Sequence, residues 1–286
     1  MIAPMLPTTT RPTVTLQYKL THNEPALRSR LDWYTRQEGI RFAGGTDGEE
    51  LLNQPANNAE APPVLKIARN RTSVLWQGEE LFFHPGMALL RLLGELRGEK
   101  DRFLQAAALP VGAQCVDATM GLAADALMAA WRAGEGGHVQ ALEASPLIAA
   151  LIKEGLLNLA HLAPPGVRGL KAEAWRQLIR AGRRIHVVAC NHLDYLQTQG
   201  SGSLDLVYFD PMFRNTREQS ASLRPLKPWI CQDPLNVASV QEACRTARRV
   251  VLKERNDSPE FARLGFRVLD GGRYSSVAFG ALEKGS

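Results

Sequence analysis

Cysteine is scarce in this chain, and the four present, Cys115, Cys190, Cys231 and Cys244, form no C-x-x-C pair and have no histidine at metal-ligand spacing. That pattern excludes a zinc ribbon and a disulfide framework, and it predicts reduced, mostly buried thiols and no metal. Long apolar runs are missing too: none approaches the ~20 residues of a membrane span. Met1 to Thr15, interrupted by Pro4, Pro7 and Pro12, has no charged start followed by an apolar stretch. A cytoplasmic protein without membrane association is expected. There are no internal repeats. Charge of one sign is only modestly in excess, with 34 Lys+Arg against 29 Asp+Glu, which permits an anionic partner without demanding one. What is present is ordinary globular material, 45% hydrophobic and 22% charged over 286 residues, ample for a sizeable core.

The pattern divides near residue 85. Thr13 to Tyr18 alternates like a strand, and Pro25 to Gln37 carries Leu27, Leu31 and Tyr34 at helical spacing. Gly44 to Pro63 is polar and rich in Gly, Asn, Glu, Ala and Pro, which predicts a loop. Val64 to Ala68 and Ser73 to Trp76 read as strands around Arg69-Asn70-Arg71. Residues 1–85 are therefore expected to form a small α+β domain, and residues 86–286 a second one. Met87 to Leu96 opens the latter as a helix with a broad leucine face. From Val111 strands alternate with helices, which argues for βα units and a mostly parallel sheet. The strands are Gln114 to Ala118, His138 to Leu142, Ile185 to Ala189, Leu204 to Phe209 and Arg249 to Lys253, with a helix over Leu122 to Arg132. Ser145-Pro146 reads as an N-cap followed by proline at the first helical position, opening a helix to about Ala160. Phe266 to Leu269 and Tyr274 to Ala281 complete seven strands as an antiparallel hairpin across Asp270-Gly271-Gly272-Arg273.

In an open α/β sheet, ligands bind beyond the carboxyl ends of the strands, where the strand order reverses. The first βα turn, Asp117-Ala118-Thr119-Met120-Gly121-Leu122-Ala123-Ala124-Asp125, would lie there. Gly121 lets the backbone approach a ligand, and small residues keep the helix start open. A dinucleotide fingerprint needs three glycines, and this turn supplies one. Asp117 and Asp125 would repel a phosphate, yet they suit the ammonium and sulfonium of S-adenosylmethionine. A tight structural turn with a solvated Asp125 is the alternative. Glu143, ending the second strand, is placed to accept two ribose hydroxyls, or else to sit near the dipole of the helix that Pro146 begins. Asn191 and His192, after the third strand, could meet an adenine edge or cap a helix, and Asp194 could equally be the cap.

The sharpest motif is Tyr208-Phe209-Asp210-Pro211-Met212-Phe213. An exocyclic amine conjugated to a purine is a poor nucleophile until its lone pair is turned toward the methyl group. Hydrogen bonds from both N–H groups to the Asp210 carboxylate and the Pro211 carbonyl would orient it, and Phe213 would stack on the base. A base in a duplex cannot reach such a pocket, so the nucleotide must be single-stranded or flipped out. A strand ending in Asp-Pro is also a common turn. Arg214, Arg217, Arg224, Lys227 and Pro228-Trp229 follow as a basic stretch that could grip phosphates, although surface arginines are often only solvated. Lys253-Glu254-Arg255, at the end of the fifth strand, reads as an ion group behind the site or part of the substrate rim.

Val116-Asp117-Ala118-Thr119-Met120-Gly121-Leu122-Ala123-Ala124-Asp125-Ala126, with Leu142-Glu143-Ala144-Ser145-Pro146 and Tyr208 to Phe213, resembles the RsmJ-like family of S-adenosylmethionine-dependent methyltransferases over roughly residues 100 to 281. The type member of that family methylates the exocyclic amine of a guanine in small-subunit ribosomal RNA. The resemblance implies a Rossmann-like class I methyltransferase fold, a mostly parallel seven-stranded sheet ending in an antiparallel hairpin. It also implies cofactor contacts from Ala124, Asp125, Glu143, Ala144, Asn191, His192 and Asp210, beside the Asp117, Thr119 and Gly121 of the first turn. Catalysis falls to Asp210, Pro211 and Phe213, the partner is ribosomal RNA or the small ribosomal subunit, and the transfer needs no metal. The chain departs from the family turn, commonly Gly-Leu-Gly-Arg-Asp, at Ala123 and Ala124, and has Arg214 where the family has proline after Asp-Pro-Met-Phe. Its amino-terminal region is closer to a branch of ribosomal RNA methylases than to the type member. A small-molecule or protein-amide substrate, and an RNA-binding module without turnover, are the competing readings.

Overall fold

The computed structural model describes residues 13–47, 62–211, 234–269 and 275–283. The amino-terminal part is a five-stranded sheet in the order β2-β1-β3-β4-β5. Its strands are β1 (Val14–Leu20), β2 (Ile40–Asp47), β3 (Val64–Ile67), β4 (Thr72–Trp76) and β5 (Glu79–Phe82). The central β1 runs parallel to both neighbours, and β3, β4 and β5 form an antiparallel meander. Helix α1 (Pro25–Thr35), opened by proline at its first position, buries Leu27, Leu31 and Tyr34. Strand β2 extends through Gly44 to Asp47, where composition predicts the start of a loop. The reason is steric: a Cβ on Gly45 would lie 2.2 Å from the Tyr18 ring, so the glycine that reads as a loop signal is what lets β2 lie beside that tyrosine.

Two helices lead into the second sheet. Helix α2 (Gly86–Leu96) buries Leu89, Leu92 and Leu93, and α3 (Arg102–Ala107) is capped by Asp101, whose carboxylate accepts from Leu104 N. Then come β6 (Gln114–Asp117), α4 (Ala124–Ala133), β7 (His138–Glu143), α5 (Pro146–Leu157), α6 (Gly169–Gly182), β8 (Ile185–Ala189), α7 (His192–Gln197), β9 (Leu204–Phe209), α8 (Val237–Thr246), β10 (Ala247–Arg255), α9 (Glu260–Leu264), β11 (Arg267–Val268) and β12 (Val277–Glu283). The order β11-β12-β10-β9-β6-β7-β8 is parallel from β8 to β10, with β12 antiparallel to both β10 and β11. This is the Rossmann-like methyltransferase sheet, and its strand order reverses between β6 and β9. Helix α4 starts two residues later than periodicity suggests, because Gly121 and Ala123 take positive φ of 52° and 60° and give those positions to the turn. Ser145 caps α5 as predicted, accepting from Ile148 N.

The two sheets share one continuous core that runs from Leu16 of β1 to Ala281 of β12. Helix α5 is the seam. Its Gly155 lies against Phe83 so closely that a Cβ would stand 2.3 Å from the ring, and Arg30 of α1 pairs with Glu154 at 3.3 Å. Among the described residues no helix is long and apolar enough to cross a membrane. Cys115 and Cys190 are buried thiols, Cys244 is half-buried, and Cys231 lies outside the described residues.

The contact at Gly155 makes a test of opposite signs. Helix propensity alone favours Gly155→Ala by up to about 1 kcal/mol. The clash with Phe83 instead should cost about 1–3 kcal/mol in chemical denaturation, and a stabilised variant would contradict the packing of the two sheets through α5.

Candidate active site

Four neighbouring strands end on one edge of the second sheet, and each brings an ionisable side chain there. Asp117 closes β6 and Glu143 closes β7; Asp210 follows β9 directly; Lys253 stands on β10 one step beyond the Phe209–Leu252 pair. The turn after β6 is tied to its neighbours by short bonds. Thr119 N donates to Asp117 Oδ1 at 3.2 Å, Asp210 N donates to Thr119 Oγ1 at 2.6 Å, and Met120 N donates to Leu142 O at 2.9 Å. The predicted residues Asp117, Thr119, Gly121, Glu143 and Asp210 are therefore gathered at one place, with Ala124 and Ala144 at the starts of the adjoining helix and turn.

Glu143 is half-buried and accepts from the backbone N–H of Ser145 at 2.9 Å and from those of Gly121 and Ala144. Burial nevertheless lifts its carboxyl to about 7, the three N–H donors opposing that rise. Asp117 is buried, and burial together with the charge of Asp125 holds its carboxyl well above the usual range. Above Gly121 the space is open: a Cβ there would meet nothing nearer than Thr119 O at 4.0 Å.

Asp125 is embedded in ion pairs rather than solvated. Arg91 of α2 donates from Nη1 to Asp125 Oδ1 at 2.6 Å, Tyr208 donates its hydroxyl to Oδ2 at 3.0 Å, and Lys253 Nζ lies 3.6 Å from the same oxygen. Burial works to raise the Asp125 carboxyl, but Lys253 and Arg91 hold it below its ordinary value. The other side of the Arg91 guanidinium forms a two-pronged bond to Asp101, Nε to Oδ2 at 2.7 Å and Nη2 to Oδ1 at 2.9 Å. Lys253 Nζ also donates to Asp210 Oδ2 at 2.6 Å. Burial lifts Asp210 to about 6, and Lys253 opposes the rise.

Asn191 caps α7, accepting from Leu193 N at 2.8 Å, which makes it, and not Asp194, the N-cap of that helix. The His192 ring turns into the protein, edge-on to Phe209, with Nε2 3.0 Å from Ser239 Oγ, and burial lowers it to about 4. These two residues stand at the carboxyl end of β8, but the His192 ring is engaged in packing. Met212, Phe213, Arg214, Arg217, Arg224, Lys227, Pro228 and Trp229 lie outside the described residues, as do Asp270 to Arg273. Arg91 escaped the sequence reading. Its one signal was a lone charge inside Leu89-Leu90-Arg91-Leu92-Leu93.

As a set the site is rich in carboxyls and poor in cations. Asp101, Asp117, Asp125, Glu143 and Asp210 are set against Arg91 and Lys253. A ligand carrying an ammonium and a sulfonium would relieve that imbalance, and the open face of Gly121 would admit it. No cluster among the described residues could hold a metal ion. Replacing Arg91 by methionine keeps the apolar stem and strips two buried carboxylates of their partner. Urea denaturation of Arg91→Met should show a loss of about 3 kcal/mol or more, and a loss under about 1 kcal/mol would contradict the role of the ion pairs in joining α2 to α3 and α4.

Comparison with known proteins agrees with this geometry. Residues 91–264, more than half of the chain, match the family model described as "Putative SAM-dependent methyltransferase". The protein YpiP of Bacillus subtilis (strain 168) is 37% identical over 194 residues, covering 68% of this chain and 71% of its own length. Ribosomal RNA small subunit methyltransferase J of Laribacter hongkongensis is 32% identical over 144 residues, 49% of this chain and 46% of that protein. The protein of the same name from Ectopseudomonas mendocina is 29% identical over 262 residues, 87% of each chain. The chain belongs to the family of S-adenosylmethionine-dependent methyltransferases, and S-adenosylmethionine is its cofactor.

Proposed function

We propose that the protein transfers a methyl group to the exocyclic amine, N2, of a guanine in small-subunit ribosomal RNA, as a cytoplasmic enzyme. The observation that carries this reading is Asp210, a carboxylate directly after the strand beside the first βα turn. Among the described residues its hydrogen-bond donor is Lys253, which takes Oδ2 and leaves Oδ1 to receive a substrate N–H. The relatives named as ribosomal RNA small subunit methyltransferases support the choice of RNA, and so does the arginine-rich stretch after Phe213.

In this reading Glu143 accepts the ribose hydroxyls, Asp117 and the backbone at Gly121 face the amino-acid end of the cofactor, and Asn191 and Ala144 border the adenine. The cofactor supplies an electrophilic methyl group on a sulfonium. Asp210 and the Pro211 carbonyl take the two N–H bonds of the amine, which turns its lone pair toward that methyl group. The methyl group would come from the cofactor, whose sulfur would keep the pair of the carbon–sulfur bond as nitrogen gains the carbon, and Asp210 would take the amine proton and pass it to water. A carboxyl raised to about 6 is ionised at neutral pH yet basic enough to receive that proton. Phe213 supplies the stacking face. We also divide the chain into an amino-terminal domain of residues 1–85 and a methyltransferase domain of residues 86–286, a division supported by the two distinct sheets, which pack through a shared core.

Incubation with S-adenosylmethionine labelled in the methyl group and small-subunit ribosomal RNA should place the label in N2-methylguanosine. Asp210→Ala should lower the rate by about 100-fold or more. Label in another nucleoside, or an unchanged rate in the variant, would overturn the assignment.

A further inference from the structure

The hydrogen bond of Lys253 to Asp210 Oδ2 comes from a lysine whose placement is specific. Val250, Val251 and Leu252 of β10 are all buried, as in a strand covered on both faces, and Lys253 is the first residue beyond them toward the carboxyl end. Its ammonium is largely withdrawn from water, with the side chain 25% exposed, and it meets two carboxylates, Asp210 at 2.6 Å and Asp125 at 3.6 Å. A lysine placed there for solubility would extend into water; this one is bent back between acids.

We propose that Lys253 is a positioning residue for Asp210: by holding Oδ2 it keeps that carboxylate ionised and presents Oδ1, bare, to the substrate amine. The proposal rests on the reading that Asp210 receives the amine. A protonated carboxyl has lost its charge, so it accepts only weakly from the substrate N–H and cannot take up the amine proton. Among the described residues, every other charge near Asp210 but one pushes toward that inactive form. Asp125 at the start of α4, Asp117 at the end of β6 and Glu254 beside Lys253 on β10 all repel a second negative charge, while Tyr208 on β9 stays neutral and Arg91 of α2 assists from farther off. Among the described residues Lys253 is the nearest cation, and the opposing charge that counts most.

The sign of the effect follows. Removing the ammonium raises the Asp210 carboxyl further, by roughly 1–3 units on general grounds. At neutral pH the native group, at about 6, is mostly ionised; without Lys253 it becomes mostly protonated. Loss of activity should therefore be deep at neutral pH and repaired by alkali, which a merely structural role would not produce.

The test uses the full chain with Lys253→Met, Lys253→Gln and Lys253→Arg, the glutamine variant serving if methionine prevents folding. Carbon-13 NMR of aspartate-labelled protein, with the Asp210 signal assigned by its absence in Asp210→Asn, reads the titration without substrate. The midpoint should rise by about two units or more in Lys253→Met or Lys253→Gln and stay within about half a unit in Lys253→Arg. In parallel, methyl transfer to small-subunit ribosomal RNA by the uncharged variants should fall about tenfold or more at pH 7 and return to within about threefold of native at pH 9. An unmoved Asp210 midpoint, or a rate loss equal at pH 7 and pH 9, would overturn the proposal. If the native chain transfers no methyl group to that RNA, the functional reading fails, while the carboxyl titration still decides what Lys253 does.

Discussion

Parallel strands deliver their carboxyl ends to one edge, and in this protein the edge is crowded with acids that cannot all be ionised unaided. Asp117, Asp125, Glu143 and Asp210 are brought together by the order β7-β6-β9-β10, and burial raises three of them above their ordinary values. The fourth, Asp125, is kept ionised by two cations that reach it from opposite sides, Arg91 from α2 and Lys253 from β10. Electrostatic strain of this kind is what an active site stores when its ligand brings the missing charge. Here the missing charge is positive, as on the cofactor proposed to bind at this edge.

The rest of the architecture serves to hold that edge still. The guanidinium of Arg91 reaches Asp125 because α2 packs on α4 and α6, and Asp101, at the start of α3, fixes its other face. Asp101 therefore caps a helix and orients an arginine with the same carboxylate. Arg30 of α1 and Phe83, just after β5, meet Glu154 and Gly155 in the last turn of α5, so the helix that begins next to Glu143 is held at its far end by the amino-terminal part.

Much of this could be read from the sequence where the signal was local. Ser145-Pro146 specified a helix start by capping chemistry alone, and the runs at Leu204 to Phe209 and Ile185 to Ala189 were strands by side-chain type. The acids at strand ends were recognisable because the fold class says where strand ends meet. What escaped depended on contacts distant in the chain. Arg91 and Asp125 are 34 residues apart, and nothing near Arg91 announces an acid. The pairing of Lys253 with Asp210 needs the register between β9 and β10, which a single strand does not reveal. Gly44-Gly45 read as a loop because glycine weakens strands in general; only the Tyr18 ring across the ladder makes glycine the residue that fits. For His192, a short helix gave too few residues to show which face turns inward, and the ring packs on Phe209 instead of standing open.

The central claim is that this acidic edge is the cofactor site, with the ribose on Glu143 and the reacting sulfur facing Asp210. A crystal structure with S-adenosylhomocysteine bound tests it most directly. The account predicts both ribose hydroxyls within hydrogen-bond distance of the Glu143 carboxylate, the amino-acid portion against the open face of Gly121, and the Asp210–Lys253 pair intact beside the sulfur. A ribose bound elsewhere, or a ligand that splits Lys253 from Asp210 and takes its place, would contradict it.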